Sequence, residues 1–371
     1  MALPRLKIGM DIDTEMPVYI QDRYIHILLM GKSGSGKSTS ITNWWEQDNY
    51  YGHAKILVDP SGFLAGDCYS ISRGIYCSID HDISINPMIS PYTDSQISDL
   101  IAEAINQVVA ITTPNQSFTV KMRGILDTSI KWCLKNNRKS LLHVLDHVKT
   151  GKEDKETRDG IISRLSFLLN DERMLKLLCG NNSIEWGELI AKHQTFIMDG
   201  FGMGKEKLVF TGSLIANGVK NYFRYARPKY YLPLSLFIDE AQNFINPSMF
   251  DILAEGRKYK ISCVLATQSF ATIEDRMTRA LLNVGNIMSY RLGHREAGYV
   301  AHEIGCTVQD LQFIEKFYLA YLTPEGKGIA KAPRPPFIKE VKPPKKVEPQ
   351  RKPIKPSWFT LESYQTAQTT I

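Results

Sequence analysis

The sequence predicts an α/β protein with a mostly parallel central sheet and an inserted all-α subdomain, and three observations carry that expectation. The apolar run His26 to Met30 leads into Gly31-Lys-Ser-Gly-Ser-Gly36-Lys37-Ser38, and the residues from Ser38 to Trp45 lack Gly and Pro. That is the order strand, glycine loop, helix. Further short apolar runs at 54–59, 195–199, 234–239 and 261–266 end in, or lead directly into, acidic or polar residues, as expected of strands buried on both faces. Between Pro91 and His193 apolar residues recur at helical spacing instead.

The first element in order is a strand at Met16 to Ile20, in an opening segment too short for a domain of its own. The G-x-x-x-x-G-K-S loop follows its apolar strand directly. A β-phosphate is doubly charged and strongly hydrated, so a site that strips its water must aim several donors inward, and glycine lets the backbone wrap closely enough. Gly31, Ser33, Gly34, Ser35 and Gly36 supply the wrap, and Lys37 reaches the β- and γ-phosphates. Ser38 sets its hydroxyl on Mg²⁺, with Thr39 beside it at a helix N-terminus whose dipole favours an anion. Ala54 to Asp59 is the next buried strand. Its terminal acid faces the same crevice, where it stands near the metal or caps the following turn at Pro60-Ser-Gly62.

The helical region reads from Ile97 to Val108, Met122 to Cys133, Leu141 to Val148 and Ile161 to Leu169. His143 and His147 have metal-ligand spacing but no third ligand and apolar neighbours, so they read as ordinary helix positions. Thr195 to Asp199 resumes the sheet. Gly200, Gly202 and Gly204 make a loop without the lysine spacing of a second phosphate site, and a helix over Leu208 to Arg224 follows. The expected division is a first core segment at 1–90, the helical subdomain at 91–193, a second core segment at 194–330 and a tail at 331–371.

Composition sets outer bounds. The chain has 371 residues, 43% hydrophobic and 23% charged, with a net charge of +6, values ordinary for a soluble globular protein. No apolar run approaches the ~18 residues of a membrane span, and the N-terminus lacks the layout of a signal peptide. A cytoplasmic location without stable membrane insertion is therefore expected. Six cysteines without a C-x-x-C pair argue against a zinc cluster or a disulfide framework. Nine Lys/Arg against two Glu, and eight prolines, fall between Lys331 and Pro356. The basicity thus resides in an extended, disordered tail, suited to nucleic-acid phosphate, to an acidic face of a partner protein, or to a solvated linker.

The remaining chemistry lies on three later stretches. Leu234-Ser-Leu-Phe-Ile-Asp239-Glu240 is an apolar strand ending in paired carboxylates. Hydrolysis of a γ-phosphate needs a held Mg²⁺ and a water relieved of its proton. Asp239 suits the metal and Glu240 suits the water as general base. Ile261 to Ala266 ends in Thr267-Gln268, whose amide can sense the γ-phosphate. Arg257 is the first candidate for stabilising charge on the transferred phosphoryl group from a neighbouring subunit, and Arg291 or Arg295 the second.

Taken together, the loop, Val58-Asp59-Pro-Ser-Gly62, Asp239-Glu240-Ala-Gln, Gly256-Arg257-Lys258, Ala266-Thr267-Gln268-Ser and Asn283 to Arg291 resemble the HerA–FtsK superfamily of P-loop motors over about Val18 to Leu322. The resemblance implies a RecA-like ATPase sheet, a hexameric ring, and ATP- and Mg²⁺-dependent pumping of DNA. In type IV secretion relatives it implies pumping of substrate through a membrane pore. It assigns nucleotide and metal binding to Lys37 and Ser38, the second metal-side acid to Asp239, the base to Glu240, the sensor to Gln268 and the trans-acting finger to Arg257. The first twenty-odd residues leave no room for a HerA-type barrel, and no coupling-type membrane anchor or FtsK-type winged helix is evident. The expectation is a bare motor moving double-stranded DNA in genome packaging or conjugative transfer. A secretion-type ATPase acting on protein or pilus subunits and a nucleotide-dependent adaptor with little turnover are the alternatives.

Overall fold

The computed structural model describes residues 5–112, 118–226, 230–245, 247–271, 273 and 275–343. They fall into two compact units, one built from Met1–Ile75, Ile190–Asp199 and Pro228–Pro343, the other from Tyr76–Leu189 and Gly200–Arg227. The strands in chain order are β1 Leu6–Asp11, β2 Pro17–Ile20, β3 Ile27–Met30, β4 Ala54–Asp59, β5 Ile75–Cys77, β6 Thr195–Asp199, β7 Leu234–Ile238, β8 Ile261–Thr267, β9 Asn286–Ser289, β10 Tyr318–Thr323 and β11 Gly326–Lys331. All but β5, which straddles the division, belong to the first unit.

Within the first unit the strand order is β2-β1-β11-β10-β9-β3-β8-β7-β4-β6. From β9 to β6 every pairing is parallel, with Met30 opposite both Thr267 and Ser289, Ile238 opposite Leu265, and Val58 opposite Ile238. β3, β7 and β8 are buried at every residue, which is why these stretches read as unbroken apolar runs rather than as alternation. The sheet extends beyond β9 by antiparallel pairing of β10, β11, β1 and β2. Of these four only β2 is expected from sequence. β11, Gly-Lys-Gly-Ile-Ala-Lys, has too little apolar character to read as a strand and is recruited by its two-residue turn from β10.

The loop helix, Lys37–Tyr50, buries Ser40, Ile41, Trp44, Trp45 and Asp48 along one face, the i, i+3/i+4 stripe of a helix lying on a sheet. Trp45 donates to Cys68 O at 3.0 Å and meets the Phe237 ring edge-on at 5.2 Å. Beneath this helix sits a buried ion pair. Arg23, just before β3, donates to both oxygens of Asp48 at 2.9 and 2.7 Å, with both side chains fully buried, and also to Ser262 Oγ on β8.

The second unit contains the helices Asp94–Thr112, Val120–Lys135, Leu141–Thr150, Lys155–Leu168, Glu172–Cys179 and Lys205–Asn221. Thr119, Ser140, Asp154 and Asp171 each accept a backbone N–H at a helix start, so the boundaries fall where capping residues stand. Lys205–Asn221 is buried from Leu208 onward and packs on Asp94–Thr112, so it belongs with the helical unit rather than serving only to lead into β7. Gly218 permits close approach to Trp186, whose indole a Cβ would overlap. His143 and His147 are engaged separately, by Ser140 Oγ at 2.9 Å and Ser129 Oγ at 3.1 Å.

The tail does not leave the body at Lys331. Asn43 Nδ2 donates to Arg334 O at 3.2 Å and Val341 N to Ser70 Oγ at 3.0 Å, so its first part runs along the helices Lys37–Tyr50 and Phe63–Ile71. Prolines there remove N–H donors but leave carbonyls that a side chain can bind. Residues 344–371, the greater part of the expected tail, lie outside the described residues.

Removing one partner of a fully buried pair leaves the other charge uncompensated. Arg23→Leu is expected to lower the unfolding free energy by about 3–5 kcal/mol in denaturant titration. A loss below about 1 kcal/mol would mean that Asp48 is satisfied without Arg23.

Candidate nucleotide-binding site

Because β3, β8, β7 and β4 run parallel, their carboxyl ends share one edge of the sheet. Gly31 to Ser38, Asp239 with Glu240, Thr267 with Gln268, and Asp59 all stand on that edge. The glycine loop is closed by Gly31 N donating to Thr267 O at 3.3 Å, Lys32 N to Arg291 O at 2.9 Å and Ser35 N to Lys32 O at 3.2 Å. Gly34 and Gly36 have φ of 72° and 127°, backbone conformations that disfavour any side chain. Gly31 and Gly36 also lie against Tyr290, which a Cβ at either would meet at 2.8 and 3.0 Å. Lys37, 7% exposed, folds back to donate to Gly31 O at 2.7 Å and Lys32 O at 3.3 Å. Ser33, Gly34 and Ser38 are exposed at the loop mouth and Thr39 is half-buried.

The charges on this edge act on one another. Burial lowers the Lys37 ammonium below its usual range, and the carboxylates of Asp239 and Glu240 oppose that shift. Asp239, 8% exposed, is pushed up to about 6, first by burial and then by the neighbouring Asp59 and Glu240. Both oxygens of Asp59 are already committed: Oδ1 accepts from Ser61 N and Oγ at 3.0 and 2.8 Å, Oδ2 from Leu64 N and Ala65 N at 2.8 and 2.9 Å. Of its two expected roles, capping is the one this geometry displays. Glu240 takes a left-handed backbone, φ 47°, and accepts from the amides of Gln242 on Oε2 and Gln268 on Oε1.

The arginines separate by edge. Arg291 follows β9 on the loop side, where its Nε donates to Gln312 O at 2.9 Å, and Arg295 lies in the first turn of the helix His294–Ile304. Arg257 precedes β8, whose far end is level with the glycine loop. With seven residues in β8, Arg257 sits about 20 Å or more from its own phosphate loop at ~3.3 Å per residue. It pairs instead with Asp22, Nη2 to Oδ2 at 2.9 Å.

Several site neighbours escape sequence reading. Thr267 Oγ1 donates to Gln242 Oε1 at 2.6 Å, so Gln242 links the β8 end to Glu240. Its place two residues after Glu240 in Asp-Glu-Ala-Gln was the available signal. Tyr290, whose hydroxyl shares a 2.7 Å hydrogen bond with Ser40 Oγ, forms the floor under the loop, and only the β3–β9 register reveals this. Ser269 Oγ donates to Glu296 at 2.8 Å.

These residues fit a nucleoside triphosphate with a divalent cation. Among the described residues, the loop presents a helix N-terminus, a buried lysine held only by its own loop carbonyls, and the hydroxyl of Ser35, buried without a hydrogen-bond partner. Beside them stand carboxylates whose mutual repulsion a cation would relieve. Ser38, exposed at the loop mouth, and Asp239, directly after β7, are the side chains that could hold it.

The family model described as the TraM recognition site of TraD and TraG matches residues 233–298, the stretch from β7 through β9. Among solved structures, VirB4 of Thermoanaerobacter pseudethanolicus is similar over 89% of this chain and 96% of its own, with a TM-score of 0.70 and 13% identity. The unbound bacterial conjugative coupling protein TrwB is similar over 92% and 91%, with a TM-score of 0.71 and 14% identity. Plasmid coupling protein TrwB in complex with ADP and Mg²⁺ is similar over 92% and 96%, with a TM-score of 0.68 and 16% identity. No curated protein sequence is significantly similar to the chain. The RecA-like P-loop fold is borne out, and the family match over residues 233–298 agrees with the conjugation side of the expected resemblance. No helix among the described residues is long and apolar enough to cross a membrane.

The raised Asp239 carboxyl sets a pH dependence. Its pKa of about 6 lies above the ordinary 3.8, so its contribution to stability is fully present below about pH 4 and is lost as pH rises through 6. In the absence of metal, Asp239→Asn is expected to be more stable than the parent at pH 8, by up to about 3 kcal/mol, and equal to it near pH 4. Denaturant titrations at both pH values check this, and a variant less stable at pH 8 would contradict it.

Proposed function

We propose that this chain is an ATP-hydrolysing motor that assembles into a ring and translocates double-stranded DNA, in conjugative transfer or genome packaging. The observation that carries the reading is the division of the chemistry between two edges of one parallel sheet. Lys37, Asp239, Glu240 and Gln268 converge on one edge while Arg257 stands on the other, so a complete site takes its arginine from a second copy. A hexameric ring is the form proposed.

In this reading the loop backbone and Lys37 bind the β- and γ-phosphates, and Gly31 O and Lys32 O give up the ammonium when phosphate arrives. Ser38 and Asp239 would hold a Mg²⁺, and when bound it would supply neutralisation of charge developing on the phosphoryl oxygens. Glu240 takes the proton of the attacking water. Gln268 donates to Glu240 in the present structure, so an amide drawn to the γ-phosphate frees a carboxylate oxygen for that water. Arg257 of the adjacent copy stabilises the transferred group. Loss of the γ-phosphate then breaks the Gln268 and Arg257 contacts together, which couples chemistry to subunit movement.

Support for a DNA substrate comes from the HerA–FtsK resemblance, the likeness to a protein described as a conjugative coupling protein, and the basic stretch from Lys331 to Pro356. Binding would be mainly to backbone phosphates, hence salt-sensitive and nearly blind to sequence. The match to a TraM recognition site supports a partner protein in addition.

ATP turnover is expected to rise with double-stranded DNA, and the stimulation to shrink between 50 and 200 mM salt, both about tenfold or more. Turnover indifferent to DNA but raised by a protein substrate would favour the secretion-type alternative. Glu240→Gln should bind ATP while hydrolysing it about 10²-fold more slowly. Mixing those subunits with Arg257→Ala subunits should restore part of the activity, and no rescue at any ratio would remove Arg257 from its trans-acting role.

A further inference from the structure

The sheet edge remote from the phosphate loop carries a built arrangement around Arg257. Its guanidinium donates twice to one oxygen of Asp22, from Nε at 3.1 Å and from Nη2 at 2.9 Å. The other oxygen of Asp22 accepts from Tyr24 N at 2.9 Å, and Ile25 N closes on Asp22 O at 3.1 Å. Asp22 is therefore fixed by its own turn before it holds anything else. Arg257 stands on the single 3-10 turn Gly256–Tyr259, braced by Lys260 N donating to Arg257 O at 3.1 Å and Leu234 N donating to Lys260 O at 3.0 Å.

Exposure distinguishes this contact from a stabilising pair. The side chain of Asp22 is 22% exposed and that of Arg257 65%, conditions under which an ion pair adds little to stability. Its effect is on direction. Nε and Nη2 are occupied, and Nη1 has no partner among the described residues, so the free end of the fork points away from the clamp. Lys258 and Lys260 are exposed cations on the same turn, and among the described residues neither has an ion-pair partner. Of the three, Arg257 is the one whose long, flexible side chain is pinned. A group that must meet a phosphoryl oxygen of another subunit gains from being oriented beforehand.

We propose that Asp22 is the positioning residue for Arg257: it holds one side of the guanidinium so that Nη1 is presented to the nucleotide site of an adjacent copy. The proposal rests on the reading of Arg257 as a trans-acting residue. It assigns Asp22, which lies before β3 and far from its own phosphate loop, to the catalytic cycle of the neighbouring subunit.

The test is steady-state ATP hydrolysis by the full chain carrying Asp22→Ala, Asp22→Asn, Arg257→Ala or the Asp22→Ala/Arg257→Ala pair, with thermal unfolding of each. Asp22→Ala is expected to lower kcat about tenfold and to change the KM for ATP less than about twofold. Asp22→Asn, which keeps an acceptor and the side-chain volume, should lose less, and it carries the test if the alanine variant does not fold. The double variant should be no slower than Arg257→Ala, because Asp22 acts only through Arg257. Mixing Asp22→Ala with Glu240→Gln subunits should restore activity as Arg257→Ala does, which a defect in Asp22's own nucleotide site would not allow. A full loss in Arg257→Ala with unchanged kcat in both Asp22 variants overturns the clamp alone. Unchanged kcat in Arg257→Ala overturns the trans-acting arginine and the clamp with it.

Discussion

The parallel register of four neighbouring strands is the constraint on which the site depends. Each strand of a parallel set must end on the same edge as its neighbours, so whatever chemistry follows β3, β4, β7 and β8 is collected there without any loop having to travel. Met30 beside Thr267, and Ile238 beside Leu265, bring a glycine loop together with two carboxylates and an amide that follow it by more than two hundred residues in sequence. The buried Arg23–Asp48 pair ties the loop helix to the entrance of β3 and to Ser262 on β8, which fixes the helix whose first turn carries Lys37 and Ser38.

Charge on that edge is arranged rather than neutralised. Among the described residues Lys37 is bonded only to carbonyls of its own loop, and burial pulls its pKa down while Asp239 and Glu240 oppose the shift. Asp59 is not a further free acid, because four donors occupy its two oxygens, but its charge helps to raise Asp239. On the proposed reading, a nucleotide accompanied by a divalent ion changes this balance in both senses: phosphate would meet Lys37 and the helix dipole, and the metal would meet Asp239.

How much of this was legible in the sequence varies by physical cause. Apolar runs buried on both faces announce themselves, so β3, β4, β6, β7 and β8 and the main helices are found close to their observed ends. Glycine spacing announces a phosphate loop because few other structures need it. β1, β10 and β11 were not legible, since an antiparallel edge is built from register and a tight turn, and Gly-Lys-Gly-Ile-Ala-Lys carries little hydrophobic signal. Arg23 and Asp48 read as ordinary polar residues, because burial of a charge is decided by partners twenty-five and more positions away. Tyr290 was hidden for the same reason, and so was the contact of Gln242 with Thr267, which only the folded register supplies.

The two-edge arrangement also bears on assembly. On the proposed reading each nucleotide is served by the carboxyl edge of one sheet and the amino edge of the next, so the interface joins two different surfaces. Contacts of that heterologous kind repeat head to tail, and they either close into a ring or run on as a filament. Strand length then becomes functional, because the seven residues of β8 keep Arg257 from its own site and leave it available to a neighbour. If Arg257 is the arginine the site uses, a single chain holds every group its nucleotide requires and yet lacks a complete site, and turnover becomes conditional on assembly rather than on folding alone.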